Sequence, residues 1–154
     1  QERRHSLTPV KPEHRFAWVA DPTNFTGPAP THRGRRGEFL YKVRHPTSVD
    51  VNERDGIHAA YDFEDVDGTR VNVKTSRRHE RTDRPGVWKW SFSILIPEQV
   101  LVGHQCDVYS CLCLDETGTK ALRELRIPVS VLGTRRLIHV YDRPDDQWLG
   151  YVSV

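Results

Sequence analysis

One stretch constrains this chain more than any other: "VWKWSFSILI", Val87 to Ile96. Trp88, Trp90, Phe92, Ile94 and Ile96 fall on one side of a two-residue repeat, with Lys89, Ser91 and Ser93 on the other. An α-helix would scatter those side chains around its circumference, whereas a strand sends them all to one face. The segment therefore predicts a strand with one face deep in a core. Shorter alternating runs repeat the pattern. "EFLYKVR" (38–44) sets Phe39, Tyr41 and Val43 on one face, and "IHAAYDF" (57–63) does so through Ile57, Ala59, Tyr61 and Phe63. "TRVNVKT" (69–75) follows the turn "EDVDG", whose Asp-Gly pair is a hairpin signal. "LRELRIPVSVL" places Leu125, Ile127, Val129 and Val131 together, with Pro128 marking a strand edge or bulge. "RFAWVA" (15–20), "RRLIHVYD" and "WLGYVSV" read as further strands. No helical period runs beyond about two turns. Eight or nine short strands with regular turns predict an all-β antiparallel sandwich.

The 154 residues suit one domain able to bury a core without cross-links. Neither an internal repeat nor a linker divides them. Residues 1–14 read as a polar N-terminal arm, and 15–154 as a single β-sandwich domain with a long proline- and arginine-rich loop at 21–37. No apolar run approaches the ~20 residues that span a bilayer, and no signal peptide is visible.

All three cysteines lie in "HQCDVYSCLCLD", His104 to Asp115. The His-x-Cys-x4-Cys-x-Cys order lacks the paired knuckles of a structural zinc site. Alternation sends Cys106 to one face, with Val108, Leu112 and Leu114 toward the core. It sends Cys111 and Cys113 to the other, with Asp107 and Tyr109. Residues two apart on a strand are too distant to bridge easily, and a reactive thiol would need a nearby cation or helix N-terminus. The stretch predicts a central strand with reduced thiols. Reduced thiols point to an intracellular reducing compartment or an assembled particle rather than secretion. The sequon at Asn24 is a common chance pattern.

Catalytic motifs are missing. The sequence holds no Gly-rich phosphate loop, no Gly-x-Ser-x-Gly elbow and no His-Glu-x-x-His pair. "DFEDVDG" departs from the calcium-loop template at its first and twelfth positions, where Phe63 and Lys74 stand, and "DRPDDQW" reads as a solvated acidic turn. No enzyme and no cofactor are expected. Arginine dominates the basic residues, 18 of 23, which favours anionic or protein partners. The clusters are "HRGRRG", "SRRHERTDR" and "TRR", with Lys74 beside the second. Candidate anion- or partner-binding residues are Arg33, Arg35, Arg36, Lys74, Arg77, Arg78, Arg81, Arg135 and Arg136. If two of these loops share one end of the sandwich, they form a basic rim for a protein, anionic lipid or nucleic-acid surface. Aromatics do not interleave with the arginines, which disfavours single-stranded nucleic acid.

From Glu38 onward, "GEFLYKVR", "IHAAYDFEDVDGTRVNVKT", "RPGVWKWSFSILIPEQVLVG", "CDVYSCLCLDETG" and "LRELRIPVSVL" resemble, in order, strands of the calcium- and lipid-binding modules of protein kinase C and synaptotagmin. The resemblance implies a β-sandwich and a basic lipid-facing patch at Lys74, Arg77 and Arg78. The calcium aspartates are degenerate. Asp55 stands near one expected position, and the third loop keeps only Asp115 and Glu116. The expectation is a non-catalytic module that binds another protein, or copies of itself, through loops, arm and sheet edges. The alternatives are a structural subunit of a capsid- or tail-type particle and a calcium-independent phospholipid-binding module.

Overall fold

In the computed structural model, residues 30–55 and 60–153 are described, with side chains from Arg35 onward. The proposed arm at 1–14, the "RFAWVA" strand and the first part of the long loop lie outside them. The fold is mainly β, with eight strands in two sheets and a few helices. One sheet runs β1 (Val49–Asp50), β2 (Phe63–Glu64), β3 (Arg70–Arg77), β6 (Val108–Leu114), β7 (Ala121–Pro128). The other runs β4 (His79–Arg81), β5 (Arg84–Ser93), β8 (Leu137–Tyr141). The chain leaves β3, forms β4 and β5 in the second sheet, and returns as β6 parallel to β3. All other pairings are antiparallel. A parallel pair needs a crossover, usually a helix. Here a hairpin of the second sheet supplies it, which binds the two sheets together by connectivity.

Packing follows from that crossover. Parallel strands are usually covered on both faces and lose their alternation, and β6 is buried without a break from Tyr109 to Leu114. Tyr109, Cys111 and Cys113 pack with Trp90 and Phe92 of β5, Ile138 and Val140 of β8, and Leu125 and Ile127 of β7. Trp90 is fully buried, and its indole N–H donates to the Leu114 carbonyl at 2.8 Å. A buried tryptophan keeps its apolar area in the core by satisfying that donor. The core face of β6 is thus the one carrying Cys111 and Cys113. Parity had sent Cys106 to the opposite face from Cys111 and Cys113. Cys106 precedes the strand, so alternation does not govern it, and it joins the same core.

The other face of the five-stranded sheet lies under α1 (Pro30–Arg44). This helix overturns two expectations, the loop extending to Gly37 and the strand at 38–44. Fifteen residues make about four turns. Its sheet-facing positions are Gly37, Tyr41 and Arg44, spaced i, i+4, i+7. Tyr41 clusters with Phe63 and Val71, and Arg44 reaches Glu124 on β7. Glycine, tyrosine and arginine form no apolar stripe, so the helical period was hidden, while Phe39, Tyr41 and Val43 imitated a strand. The last turn carries Lys42 and Arg44, favourable at the negative end of the helix dipole. Lys42 Nζ donates to the carbonyls of Pro46 and Ser48.

Other differences are local. The "IHAAYDF" strand shrinks to Phe63–Glu64, with 57–59 outside the described residues. The Asp-Gly turn does link β2 to β3, with Gly68 at φ 88°. β5 ends at Ser93, so Ile94 is buried but Ile96 turns out to 50% exposure. Pro128 closes β7, and Val129–Leu132 form a short helix, which removes Val129 and Val131 from the strand face. The "WLGYVSV" segment is a 3-10 turn at Gln147–Tyr151 followed by an isolated bridge from Val152 to Leu125.

The closest approach of helix to sheet is at Gly37. A methyl placed there would meet Thr75 Cγ2 at 2.5 Å. The β-branched threonine cannot swing aside freely. Overpacking costs roughly 1–3 kcal/mol, against about 1 kcal/mol of helix propensity gained from Gly to Ala. Gly37→Ala should therefore destabilise the wild-type fold in urea unfolding, and stabilise a Thr75→Ala background. A stabilising effect in both backgrounds would refute the close approach.

Candidate functional site

The predicted cations separate into two groups. Arg36, Arg77 and Arg78 converge on the β6–β7 turn. Arg36 donates to the Thr119 carbonyl at 2.7 Å and Arg77 to the Glu116 carbonyl at 3.2 Å. Arg78 pairs with Asp142 at 2.8 Å and Glu116 at 3.1 Å, and lies over the Trp88 ring. Arg81 is held by Asp83. Lys74 is half-buried in register with Cys111, on the face turned toward the second sheet. Arg135 and Arg136 precede β8 at the opposite end, where the Arg136 carbonyl accepts from Ile94 N–H. Arg35 is exposed on α1, and the side chain of Arg33 lies outside those described. The loops therefore form no single rim. Two arginine clusters meet at one end, the third is at the other, and most of the first group is engaged by the chain's own carbonyls and carboxylates.

The cysteine stretch is chemically quiet. All three thiols are free and buried. Burial pushes Cys106 up to about 11 and Cys113 up to about 12, and raises Cys111 as well. A thiol held protonated is neither nucleophile nor metal ligand. His104 is engaged too. Its Nε2 donates to the Gly133 carbonyl, which leaves Nδ1 to accept from the Tyr109 hydroxyl at 3.0 Å. The acidic loop "DRPDDQW" is likewise committed. Asp142 holds Arg78, Asp145 holds Arg143, and Asp146 accepts the backbone N–H groups of Tyr141 and Trp148. Asp115 accepts from Thr119 N–H and the Thr117 hydroxyl, closing its own turn. Among the described residues, no group of three or more His, Cys, Asp or Glu is placed to hold a metal ion.

Sequence reasoning missed a buried polar network. Glu124 on β7 is fully buried beneath α1. Its Oε1 accepts from Arg44 at 3.1 Å and His45 Nε2 at 2.8 Å; its Oε2 accepts from Ser110 Oγ at 2.6 Å and Arg126 at 3.3 Å. Arg126 continues to Asp65 at 2.7 Å and the Tyr41 hydroxyl at 2.9 Å, and Tyr41 donates to Asp65 at 2.8 Å. Beside it is an open cleft of about 390 Å³ lined by His45, Thr47, Ser48, Asp65, Val66 and Asp67. The Ser110, Glu124 and His45 types invite comparison with a hydrolytic triad, but the order is wrong. The nucleophile must contact the imidazole. Here the hydroxyl donates to the carboxylate, and Ser110 is fully buried. The network is a structural tie between helix and sheet. The available signal was a glutamate inside a strand otherwise reading as core.

Two exposed features remain. The turn after β5 holds a short helix (Pro97–Val100), and after it Leu101 is 96% and Val102 68% exposed. Ile96, Arg135, Arg136 and Leu137 lie at the same end of the second sheet. The outward face of that sheet carries His79, Lys89, Ser91, His139 and Tyr141 in two adjacent rows.

Glu124 generates a pH prediction. Burial pushes its carboxyl up, but the hydrogen bonds from Ser110 and His45, the charge of His45 and the bond from Arg44 outweigh it, leaving it below its ordinary 4.5. A carboxyl with a depressed folded pKa stabilises fully above the unfolded value, and that stability disappears as pH falls through the folded one. Glu124→Gln should destabilise by roughly 1–3 kcal/mol at neutral pH, since it removes the charge from the buried acceptor of a network whose cations are only partly buried. The loss should shrink as pH falls below about 4.5. Urea unfolding at several pH values measures both, and a loss that did not change with pH would remove Glu124 from this role.

No protein-family model and no curated protein matches this sequence.

Proposed function

We propose that the chain is a non-catalytic β-sandwich module, its two sheets forming the layers, that binds a protein partner through the end of the second sheet. The supporting observation is the turn at Leu101–Val102. A large aliphatic side chain at 96% exposure, followed by one at 68%, gains nothing from folding where it stands. Ile96 and Leu137, each 50% exposed, lie at the same end of the sheet. Contiguous exposed apolar surface marks interaction sites more often than incidental exposure does. The rim is basic. Arg136 is exposed, and Arg135 donates to the Val131 and Leu132 carbonyls while lying over Trp148. Apolar anchors ringed by arginine are typical of interface centres. The fitting partner presents an apolar pocket with an acidic margin.

No observation favours the other readings in the same way. The lipid patch suggested by resemblance uses Arg77 and Arg78, both engaged within the chain. The segment matched to that family's opening strand is helical here. The particle-subunit reading drew on the arm at 1–14, outside the described residues.

The test compares wild type with Leu101→Asp/Val102→Asp. Both positions are exposed, so thermal unfolding should be unchanged. Sizing with light scattering reads self-association, and crosslinking in a lysate of the source cells reads other partners. The double variant should lose association about 30-fold, the effect of removing an anchor worth about 2 kcal/mol. Association undiminished in the variant would refute this surface.

A further inference from the structure

The outward face of the three-stranded sheet gathers one ammonium and two imidazoles, none of them paired with a carboxylate among the described residues. His79, Lys89 and Tyr141 stand side by side across β4, β5 and β8, and Ser91 pairs with His139 in the next row. Lys89 Nζ lies 3.4 Å from His139 Nδ1, and Ser91 Oγ lies 2.9 Å from the same nitrogen. An ammonium only donates, so Nδ1 accepts, and His139 is neutral with its proton on Nε2. Burial and the charges of Lys89, His79 and Arg81 all hold its pKa below the ordinary value.

The charges facing this cluster can be inventoried strand by strand. From β4 come His79, whose Nδ1 contacts the Arg77 carbonyl, and Arg81, which is held by Asp83. β5 contributes Lys89, and β8 contributes His139 and Tyr141. Glu80 pairs with Trp88 and so has the opposite parity. Beyond the sheet, Asp145 holds Arg143 and Asp146 accepts backbone N–H groups. Among the described residues, no carboxylate balances Lys89, His79 or His139.

We propose that this face docks an acidic segment of a partner protein, and docks it more tightly as pH falls. The inference rests on the protein-binding reading above and supplies the partner's chemistry at a second surface. Three strands span about 10 Å, the width of one extended chain rather than a nucleic-acid duplex. Tyr141 offers no open ring for a base, since Lys89 and Arg143 already lie over it. A carboxylate beside His139 would favour its charged form, offsetting Lys89 and freeing Nδ1–H to donate. The linkage sign follows: binding raises the histidine pKa, so protons and acidic ligand bind cooperatively.

The experiment titrates the full chain with a labelled poly-aspartate peptide by fluorescence anisotropy, at pH 5.5 and 7.5, at low and moderate salt. Affinity should rise about 3- to 10-fold at the lower pH, which corresponds to a histidine pKa raised by up to about one unit on binding. Lys89→Glu should weaken binding at least about 5-fold at both pH values. His139→Gln should cut the pH dependence by half or more while leaving thermal unfolding unchanged. Leu101→Asp/Val102→Asp should leave poly-aspartate binding intact, so a failure of the apolar turn and a failure of this face are distinguishable. No binding at either pH, binding indifferent to Lys89→Glu, a pH dependence unmoved by His139→Gln, or tighter binding of duplex or single-stranded DNA of equal charge would each overturn the proposal.

Discussion

The architecture depends on one buried carboxylate. Glu124 sits in a strand whose neighbours Leu125 and Ile127 are core, with no water to solvate it. An isolated ion there would cost several kcal/mol and would protonate instead. Four donors from three parts of the chain avoid that: Arg44 and His45 at the end of α1, Ser110 on β6, and Arg126 on β7 itself. Arg126 then carries the network to Asp65 in the β2–β3 turn and to the Tyr41 hydroxyl. The helix has no apolar stripe to hold it on the sheet. Its position comes from this network, from the Tyr41, Phe63 and Val71 cluster, and from the clearance at Gly37. Moving any of these elements leaves a buried charge without its partner, which makes the arrangement specific more than it makes it stable.

The parts of the fold visible in the sequence are those where a single face decides burial. β5 has one face in the core and one turned outward, so Trp90 and Phe92 read correctly from period alone. The alternation of β6 groups Tyr109, Cys111 and Cys113 on one face and buries Leu112 and Leu114 on the other, as expected; what parity misplaces is Cys106, which lies before the strand and joins the Cys111 face. Helix α1 was invisible for the reason that makes it work. Its contact residues are a glycine chosen for closeness, a tyrosine with a hydroxyl to place, and an arginine with an ion to meet. Hydrophobic period carries none of that information. The candidate site was legible only as a set of cations. Which of them are neutralised depends on Asp83, Asp142 and Glu116, residues distant in sequence from several of the arginines they hold, and no spacing rule anticipates those pairings.

That division of charge separates the molecule into two sides. On the helix side, the charges of Arg44 and Arg126 terminate on Glu124 and Asp65. At the turn end, Arg78 terminates on Asp142 and Glu116. Such cations hold the fold, and a partner would have to break an existing pair to use them. The second sheet differs. Its inner face supplies Trp90, Phe92, Ile138 and Val140 to the core, while its outer face gathers Lys89, His79 and His139 with no carboxylate paired to them among the described residues. Coulomb repulsion among these groups is tolerated because the face is solvated and screened, and because His139 gives up its proton. Burial first, and then the charges of Lys89, His79 and Arg81, hold the His139 pKa below its ordinary value.

The apolar turn and the cationic face belong to the same sheet, joined through β5 and β8. β5 runs from the Lys89 row to Ser93 and then directly into the turn, and β8 starts at Leu137 beside Arg135 and Arg136. A partner lying along this sheet would meet aliphatic contact at one end and positive charge along its length. Aliphatic contact resists salt and is indifferent to pH, whereas the charged face responds to both. Two such terms on one rigid strand pair let affinity and its regulation be set separately. In the proposed complex the anchor would fix where the partner sits, and protonation of His139 would set how strongly the rest of it adheres.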